Sequence, residues 1–380
     1  MSKRVVTLDI PDPSDKFDSI QNALNGGNVI LNLPPGIFHV SKTLRVYSNT
    51  VIKATDRTVI RRWDNSMLNY TDCVIANADE YDVGNENIEI DGGIWNANNP
   101  KNPRGNTPKS ANDSYGGWGF RFNRVKNLTI KNLTVANADS YFIRMCNITD
   151  FQVLNVKFFC SKFTANQDGI HLNGNCFHGK IKGLYGISPY TPGDDMIALN
   201  AYDGVGGILN DGVDLGPIED IEIEDVYAES VYGFMRILSN DGMPVKNVRG
   251  RNFRGGVRFL FLNANSFGEA KPGNGLIENV ELSDIEVCKV PQWSDSEEIN
   301  DFPIFGMQLK MKNVVLRNMT RPMLDTDCGT HTFCLHPLAG KIVEYVKDPL
   351  NPASELKMHE DGTICLTRGG LQYLKVDSED

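Results

Sequence analysis

The segment Asn127–Val135 reads Asn-Leu-Thr-Ile-Lys-Asn-Leu-Thr-Val, in which a polar head precedes apolar residues that alternate with polar ones. Such alternation is typical of a half-buried β-strand, because successive side chains of a strand point to opposite faces. The same pattern recurs behind eight polar head residues, which are Asn87, Asn127, Asp150, His178, Asp220, Asn247, Asn279 and Asn313. The segment is therefore one copy of an internal repeat.

The spacing of these heads predicts the architecture. Successive heads are 40, 23, 28, 42, 27, 32 and 34 residues apart, so the short spacings indicate bare coils and the long ones indicate coils with an inserted loop. Short strands separated by Gly and Asn at this period predict a parallel β-helix, an all-β solenoid. Asn suits the turns because it tolerates left-handed backbone angles. A β-propeller is the alternative, but its blades usually need about 40 residues and hairpin turns.

The pattern divides the chain into three parts of one β-helix domain, residues 1–380. Residues 1–60 are expected to form an N-terminal cap and the first coils, with a helix over Asp15–Leu24 that covers the open end. Residues 61–319 form the central coils with the catalytic face, and residues 320–380 form irregular strands that close the other end. Four long polar insertions could wall a groove, and they cover residues 96–119, 200–217, 263–274 and 288–303.

The composition disfavours several classes of protein. The net charge of -10 over 380 residues argues against nucleic acid or an anionic membrane surface as a partner. No apolar run approaches the roughly 18 residues of a membrane helix, and no signal peptide is visible. Localisation stays open between a cytoplasmic protein, export by another route and a leader that this chain lacks. No pattern indicates a cofactor, and the oligomeric state is not predicted.

The cysteines do not indicate a disulfide scaffold. Eight cysteines are too few for such a framework in a chain of this length. Cys328 and Cys334 could pair across a turn, but buried free thiols are the favoured interpretation.

Two acidic segments carry the chemistry. Asn166–His171 reads Asn-Gln-Asp-Gly-Ile-His, and residues 193–198 read Gly-Asp-Asp-Met-Ile-Ala, so both place carboxylates ahead of an apolar run. Counted from their repeat heads, six residues fall at offsets of 16 to 18, and these are Arg144, Asp168, Asp194, Asp195, Arg236 and Asn263. Equal offsets in stacked coils predict one column on one face, with neighbouring coils about 4.8 Å apart.

Clustered carboxylates have a specific use in catalysis. Three of them cannot all ionise at low cost, so the pKa of at least one rises, as a general acid requires, while an ionised neighbour activates water. A solvated ladder of turn aspartates and a calcium site are the alternatives. We favour catalysis by Asp168, Asp194 and Asp195.

The chain resembles the polygalacturonase-like glycoside hydrolases of family 28, which are right-handed parallel β-helices of the pectin-lyase-like superfamily. The family carries Asn-x-Asp-Gly and then (Gly/Gln)-Asp-Asp, which match residues 166–169 and 193–195. The resemblance implies inverting hydrolysis of a glycosidic bond. It implies that Asp194 protonates the leaving oxygen, while Asp168 and Asp195 activate the attacking water. The substrate would be a pectin-like or other acidic polysaccharide, or its oligosaccharides.

The sequence departs from the family at two motifs. No Gly-His-Gly occurs between Asp195 and Arg236, and the family's Arg-Ile-Lys reads Arg236-Ile237-Leu238. His171, expected to point outward, could take the place of the missing histidine. The loss of the lysine weakens the case for galacturonate.

Further side chains are candidates for binding substrate. Arg236 and Arg144 could hold an acidic group in a bidentate manner, and Asn166 and Asn263 belong to the same expected face. Trp118 and three other aromatic residues near loops could stack on sugar rings, although loop anchoring is the alternative, and these are Trp95, Tyr115 and Tyr202.

Two other functions use the same fold. A polysaccharide lyase would employ Arg236 or Arg144 as a base, often with calcium. A non-catalytic carbohydrate-binding fibre, like a phage tail-spike, would form trimers and would not need the aspartates.

Overall fold

The computed structural model describes residues 2–378 except 70, 104–115, 165, 203–213, 241, 265–273, 291–302, 321–330, 351–354 and 368. The described residues form one helix, α1 (Phe17–Leu24), and strands throughout the rest of the chain. The strands are β1 (Arg4–Thr7), β2 (Val29–Leu33), β3 (Gly36–Val40), β4 (Leu44–Val46), β5 (Thr50–Ala54), β6 (Thr58–Arg62), β7 (Cys73–Asn77), β8 (Asn85–Asp91), β9 (Ile94–Asn96), β10 (Trp118–Ala136), β11 (Ile143–Phe159), β12 (Ile170–Leu172), β13 (Cys176–Gly186), β14 (Asp195–Asn200), β15 (Ile218–Leu238), β16 (Val245–Ala264), β17 (Leu276–Lys289), β18 (Phe305–Met307), β19 (Lys310–Thr320), β20 (His331–Leu335), β21 (Lys341–Lys347), β22 (Glu355–Met358), β23 (Ile364–Thr367) and β24 (Leu371–Asp377).

Through the coils the strands stack in parallel, each on a strand one coil further along the chain. Strand β10 pairs with β11 over its whole length, and β15 pairs with β16 in the same way. The pairings form three ladders around one apolar interior. We call the ladder that contains β4, β7, β12, β14, β18 and β20 face 1. It also includes the starts of β10 and β11 and the ends of β15 and β16. The chain is thus nearly all β, and the predicted parallel solenoid is confirmed.

The repeat heads lie at left-handed backbone positions. All eight heads have positive φ angles, between 52° at Asn313 and 60° at Asp150 and Asp220. Side chains of neighbouring heads join into a ladder, in which Asn127 Nδ2 donates to Asn87 Oδ1 at 2.8 Å and Asn279 Nδ2 donates to Asn247 Oδ1 at 3.1 Å. Asn favours these positions because few other residues adopt a left-handed angle at low cost.

The two ends differ from the middle. Helix α1 begins two residues after the predicted start and buries Ile20, Ala23 and Leu24 against β2 and β4. Its expected capping role, like the division of the chain into three parts, stays a prediction. At the other end β24 pairs with β19 and β21 in antiparallel fashion, and β23 pairs likewise with β20 and β22.

The cysteine prediction needs one correction. Cys334 forms a disulfide with Cys365, on the antiparallel neighbour of its strand, and not with Cys328, which lies outside the described residues. A sequence pattern cannot reveal this pairing, because it depends on the register of two strands 31 residues apart. Four of the free cysteines are buried, as expected, namely Cys73, Cys146, Cys160 and Cys176. Among the described residues, no helix has the length and hydropathy needed to span a membrane.

The left-handed heads make a testable contribution to stability. Replacing Asn127 (φ 58°) with Ala should lower the free energy of unfolding by about 1–2 kcal/mol, because alanine resists this angle and cannot make the ladder bond. Asn127→Gly keeps the angle and loses only the bond, so its loss should be smaller. Urea unfolding of both variants measures the difference. Equal stability of Asn127→Ala and the unsubstituted protein would contradict this role.

Candidate active site

Three carboxylates meet where face 1 begins in two successive coils. The nearest carboxylate oxygens of Asp168, Asp194 and Asp195 all lie within 4.8 Å of one another. Asp168 and Asp195 sit one above the other, and the Asp195 backbone N–H donates to Asp168 Oδ1 at 3.2 Å. Both are almost fully buried, whereas part of Asp194 stays open to solvent. The predicted meeting of the two acidic segments is thus present in the structure.

The carboxyl groups have different proton affinities. Burial, followed by the charges of Asp195 and Asp168, raises the pKa of Asp194 well above its ordinary value. Burial also raises the pKa of Asp195, to about 6, although the Arg236 guanidinium opposes the rise. Arg236 Nε donates to Asp195 Oδ2 at 2.7 Å, so the negative charge is best stabilised on Asp195. Asp194 therefore holds a proton more firmly than Asp195 does.

His171 supports Asp168 from β12, the strand that directly follows Asp168. Its Nδ1 lies 2.5 Å from Asp168 Oδ2, and its Nε2 lies 3.0 Å from Asn173 Nδ2. An amide nitrogen can only donate, so His171 Nε2 accepts from Asn173. His171 Nδ1 then carries the ring hydrogen and donates it in a hydrogen bond to Asp168. The ring is buried and stacks on Tyr141, with 3.8 Å between the ring centroids. His171 faces away from the apolar interior as expected, but Tyr141 covers it.

Arg144 is connected to His171 through Asn173. Its Nε donates to Asn173 Oδ1 at 2.9 Å, and its guanidinium lies over the Trp118 ring at 5.1 Å from the centroid. Arg144 is buried and orients Asn173, which in turn orients His171. The structure therefore links Arg144 to Asp168 through two intervening side chains.

The predicted single column needs correction. Arg144, His171, Ala198 and Arg236 share one register on face 1, three residues beyond the register of Asp168 and Asp195. The error arises in the turns: the chain leaves the sheets for several residues before β12 and β14, whereas β15 runs from one face to the next without a break. Arg236 reaches Asp195 only because its long side chain spans the difference.

Three further predicted contacts with substrate are wrong in this structure. The Asn263 side chain is buried, where it donates to the Gly306 carbonyl oxygen at 2.5 Å and accepts from the backbone of residues 308 and 309. Trp118 is 1% exposed beneath Arg121 and Arg144, and Trp95 is 0% exposed in the core, so neither ring can stack on a sugar here. Trp95 instead packs in the main apolar interior, and Trp118 packs in a small separate cluster with Tyr141.

Asn166 lies beside the carboxylates, in the turn before β12. Its φ angle is 59°, and its backbone N–H donates a hydrogen bond to the Asp194 carboxyl group. The left-handed turn thus positions a donor at the proposed acid. Contact of the Asn166 side chain with a substrate stays a prediction.

The sequence prediction missed Tyr232 and Arg258. The paired registers bring Gln167, Asp194, Tyr232 and Arg258 into one column through successive coils. The Arg258 guanidinium lies 4.0 Å from the centroid of the Tyr232 ring, and both side chains interact electrostatically with Asp194. Burial lowers the pKa of Arg258 and raises that of Tyr232. Counting residues from the corner between two strands, so that the turn lengths do not enter, would have found both residues.

The sequence predicts four long loops around the cluster. Most of the four predicted loops, including Tyr115, lies outside the described residues. A groove of about 960 Å³ lies elsewhere, over the ladder that carries the repeat heads, and His178, Arg249, Glu281 and Tyr373 are among its lining residues. We take the carboxylates as the candidate active site, since the charged groups of that groove pair with one another, as Arg317 does with Glu281 at 2.7 Å.

The carboxylate cluster has the donor atoms for a hard cation, as three acidic groups within 4.8 Å can coordinate one. However, Arg236 already donates to Asp195 and supplies a positive charge there. This fixed cation disfavours calcium between the same oxygens.

A stacked parallel solenoid with three clustered aspartates on one face defines a class of protein, the β-helical glycoside hydrolases. The chain belongs to this class through glycosyl hydrolases family 28, whose family model matches residues 42–233, half of the sequence. The match includes all three aspartates and His171.

Solved structures of similar fold fit this assignment. The family 28 exopolygalacturonase of Yersinia enterocolitica is 13% identical, with a TM-score of 0.55 over 84% of this chain and 66% of that enzyme. An iota-carrageenase bound to iota-carrageenan fragments is 10% identical, with a TM-score of 0.52 over 96% and 83%. The surface adhesin PfbA of Streptococcus pneumoniae is 12% identical, with a TM-score of 0.52 over 94% and 97%. No curated protein sequence matches the chain. At these identities the likeness concerns the fold.

The raised pKa values of Asp194 and Asp195 predict how the stability of the fold depends on pH. The folded pKa values of Asp194 and Asp195 exceed the ordinary 3.8, so between that value and the raised pKa values the folded chain holds more protons than the unfolded chain. Stability therefore falls as pH rises through about 6 and beyond. Asp194→Asn, which removes one titration, should flatten this slope and raise the melting temperature near neutral pH by about 1–3 °C.

Thermal unfolding followed by circular dichroism across pH measures this effect. Asp220→Asn, at an exposed head position, is the matched control and should leave the slope unchanged. An unchanged slope in Asp194→Asn would mean that Asp194 does not hold the proton.

Proposed function

We propose that the protein hydrolyses a glycosidic bond in a pectin-like or other acidic polysaccharide, or in its oligosaccharides, with inversion at the anomeric carbon. The observation that carries the proposal is a partly exposed Asp194, whose pKa is raised, beside two buried carboxylates, one of which is ion-paired. Such a pair of unlike acids is the working part of a glycosidase. Membership of family 28 supports the same reaction.

The residues divide the reaction between them. Asp194 donates its proton to the glycosidic oxygen as the bond to the anomeric carbon breaks. Asp168 and Asp195 hold a water molecule, since oxygens within 4.8 Å of each other can both accept from one water. As the water oxygen attacks the anomeric carbon, one of these carboxylates takes its proton. The products are two shorter sugars, one with a new reducing end.

The carboxylate separation is short for this stereochemistry. Inverting enzymes usually hold the two groups about 6.5–9.5 Å apart, and retaining enzymes about 5–5.5 Å. Here the nearest oxygens are within 4.8 Å, but the site has three carboxylates in place of two. Asp195 is bound by Arg236, which weakens it as a nucleophile and suits it to hold a water. The anomer of the first product decides between the two mechanisms.

Arg258 is our candidate for recognition of an acidic substrate group. Arg236 is committed to Asp195, and the charges of Asp195 and Asp194 raise its pKa against the effect of burial. Arg258 lies one coil further along, stacked on Tyr232 and near Asp194. Its side chain is almost fully buried in this structure, so the guanidinium can bind a carboxylate or sulfate in a bidentate manner once it turns toward solvent. The names of the similar polygalacturonase and iota-carrageenase also concern acidic polymers.

The lyase alternative requires an arginine that gives up its proton. Arg236, one of the two residues first considered (the other is Arg144), holds its proton more firmly than usual because of its carboxylate neighbours. Arg258 is the arginine of the described site whose pKa is lowered. A readout for unsaturated products is therefore part of the test.

Asp194→Asn and Asp168→Asn should each lower kcat by about a thousandfold or more, because each removes a group that transfers or orients a proton. The substrates are polygalacturonate, rhamnogalacturonan, carrageenans and their oligosaccharides. Reducing ends, ultraviolet absorbance and the anomer of the first product, read by NMR, are followed together.

New reducing ends of inverted configuration, lost in both variants, would support the proposal. Ultraviolet-absorbing products that persist in the variants would assign a lyase instead. Retained configuration would make one carboxylate a nucleophile. Binding of a polymer without cleavage, unaffected by Asp168→Asn, would identify a binding module.

Arg258→Ala should raise KM for the acidic substrate about tenfold or more with a smaller effect on kcat, since it removes a charged contact. Arg258→Lys should recover part of the loss. Arg254→Ala is the matched control, because Arg254 lies on the same strand with an exposed side chain. Methyl-esterified or desulfated substrate should show no difference between the Arg258 variants. If it does, Arg258 does not bind the acidic group.

A further inference from the structure

A second cluster of chemically reactive side chains lies in the antiparallel strands at the C-terminal end. The donor atoms of His331, His359 and Cys365 lie within 4.8 Å of one another. Cys334 joins them because its sulfur is bonded to that of Cys365. The result is two imidazoles and two sulfurs at one place. Neither the fold of the coils nor the proposed hydrolysis requires this set.

The local backbone explains how the four residues meet. Strand β20 pairs with β23 so that His331 opposes Thr367 and Cys334 opposes Cys365, with a bulge between His331 and Phe333. Residues three apart normally point to opposite sides of a strand, but the extra residue reverses the alternation after the bulge. Their partners, 367 and 365, are two apart on β23 and therefore share one side. The bulge thus puts His331 and Cys334 on the same side.

The bulge and the neighbouring turn are both fixed by hydrogen bonds. Thr332, the extra residue, is buried, and its hydroxyl donates to the Gly369 carbonyl oxygen at 2.7 Å. His359 comes from the turn that joins β22 to β23, where its backbone N–H donates to the Thr363 carbonyl oxygen at 2.9 Å. The His331 and His359 rings meet edge to face, with centroids 5.7 Å apart. Two strands and one turn therefore supply the cluster.

We propose that His331, Cys334, His359 and Cys365 form a redox-exchangeable Cys2His2 site that binds Zn²⁺ when the disulfide is reduced. Two thiolates and two imidazoles in a tetrahedral arrangement are a usual ligand set of structural zinc. Ligand atoms within 4.8 Å need only small movements to reach zinc distances of about 2.0–2.3 Å. His359 is exposed and Cys365 is buried, so the metal would enter from the solvent side.

Reduction followed by zinc binding converts the disulfide state into the zinc state. A dithiol reductant breaks the Sγ–Sγ bond, leaves two thiols on the protein and is itself oxidised to a disulfide. Binding of Zn²⁺ then releases two protons as the thiols become thiolate ligands. In the oxidised state the two sulfurs are bonded to each other and do not serve as thiolates. Disulfide and zinc are therefore alternative links between β20 and β23.

The site is structural and separate from the carboxylates. Cys334 shares the face 1 register of Arg236 through β16 and β18, three strands away, which corresponds to about 14 Å. Four protein ligands also fill a tetrahedral zinc and leave no position for substrate.

Metal content and spectra of the full chain test the proposal. The protein is reduced with a phosphine, incubated with Zn²⁺ and desalted, and we expect about one zinc per chain. The oxidised chain should retain none. Co²⁺ in place of Zn²⁺ should give the visible absorption of tetrahedral cobalt with a thiolate charge-transfer band. Zinc should raise the melting temperature of the reduced chain only, because it binds the folded form.

His359→Ala, at an exposed position, should weaken zinc binding by about tenfold or more and remove the tetrahedral cobalt spectrum, and His331→Ala should do the same. His336→Ala is the matched control, as His336 accepts from the Leu338 backbone N–H in the same region and lies outside the cluster. Each variant is checked for its fold in the oxidised state.

Reduced, folded protein that takes up no stoichiometric zinc would overturn the proposal. Zinc binding that is equally tight in the double variant of His331 and His359 would also overturn it. If reduction unfolds the C-terminal strands, recovery by zinc supports the site, and failure of zinc to restore them contradicts it.

Discussion

The hydrogen-bonded register between successive coils is the constraint on which the rest of the structure depends. Each strand lies about 4.8 Å from its equivalent in the next coil, so residues 21 or more positions apart in sequence become direct neighbours. A slip of one residue would exchange the side chains that face the interior with those that face outward. The left-handed heads fix the corner of each coil and thereby the register of the strands that follow. The distance between Asp168 and Asp195 is a direct consequence.

The carboxylate cluster lowers the stability of the fold locally, and the stacked coils have to offset this loss. Burying three like charges is unfavourable, and a proton on one of them together with a cation beside another relieves most of the repulsion. Arg236 stabilises the charge on Asp195, and His171 donates to Asp168, whereas Asp194 accepts from the Asn166 backbone N–H and lies further from the Arg236 guanidinium. In the proposed mechanism these unequal partners decide which group is the acid. The roles thus follow from the surroundings of three chemically identical side chains.

The sequence predicted the coils well and the site only in part. All eight heads found by their alternation lie at left-handed positions, because a residue that must adopt this angle is recognisable by its type. The aspartates were found because both acidic segments precede short strands of successive coils. Tyr232 and Arg258 were missed because the turns before β12 and β14 add residues that the later coils lack. The burial of Trp118 was not predictable, since it depends on Arg121 and Arg144 from two different coils.

The same nearest-neighbour logic explains why the C-terminal end needs a link of its own. In a solenoid each coil is stabilised mainly by its two neighbours, and the last coil lacks one of them. The chain responds by changing from parallel to antiparallel pairing, so that β23 and β24 cover the edges that β20 and β19 would otherwise expose. Strand β22 is short and exposed, and few apolar contacts hold it in place. A covalent or metal link between β20 and β23 therefore acts where the cooperative stacking is weakest, and its state affects the end of the solenoid more than the carboxylates in its middle.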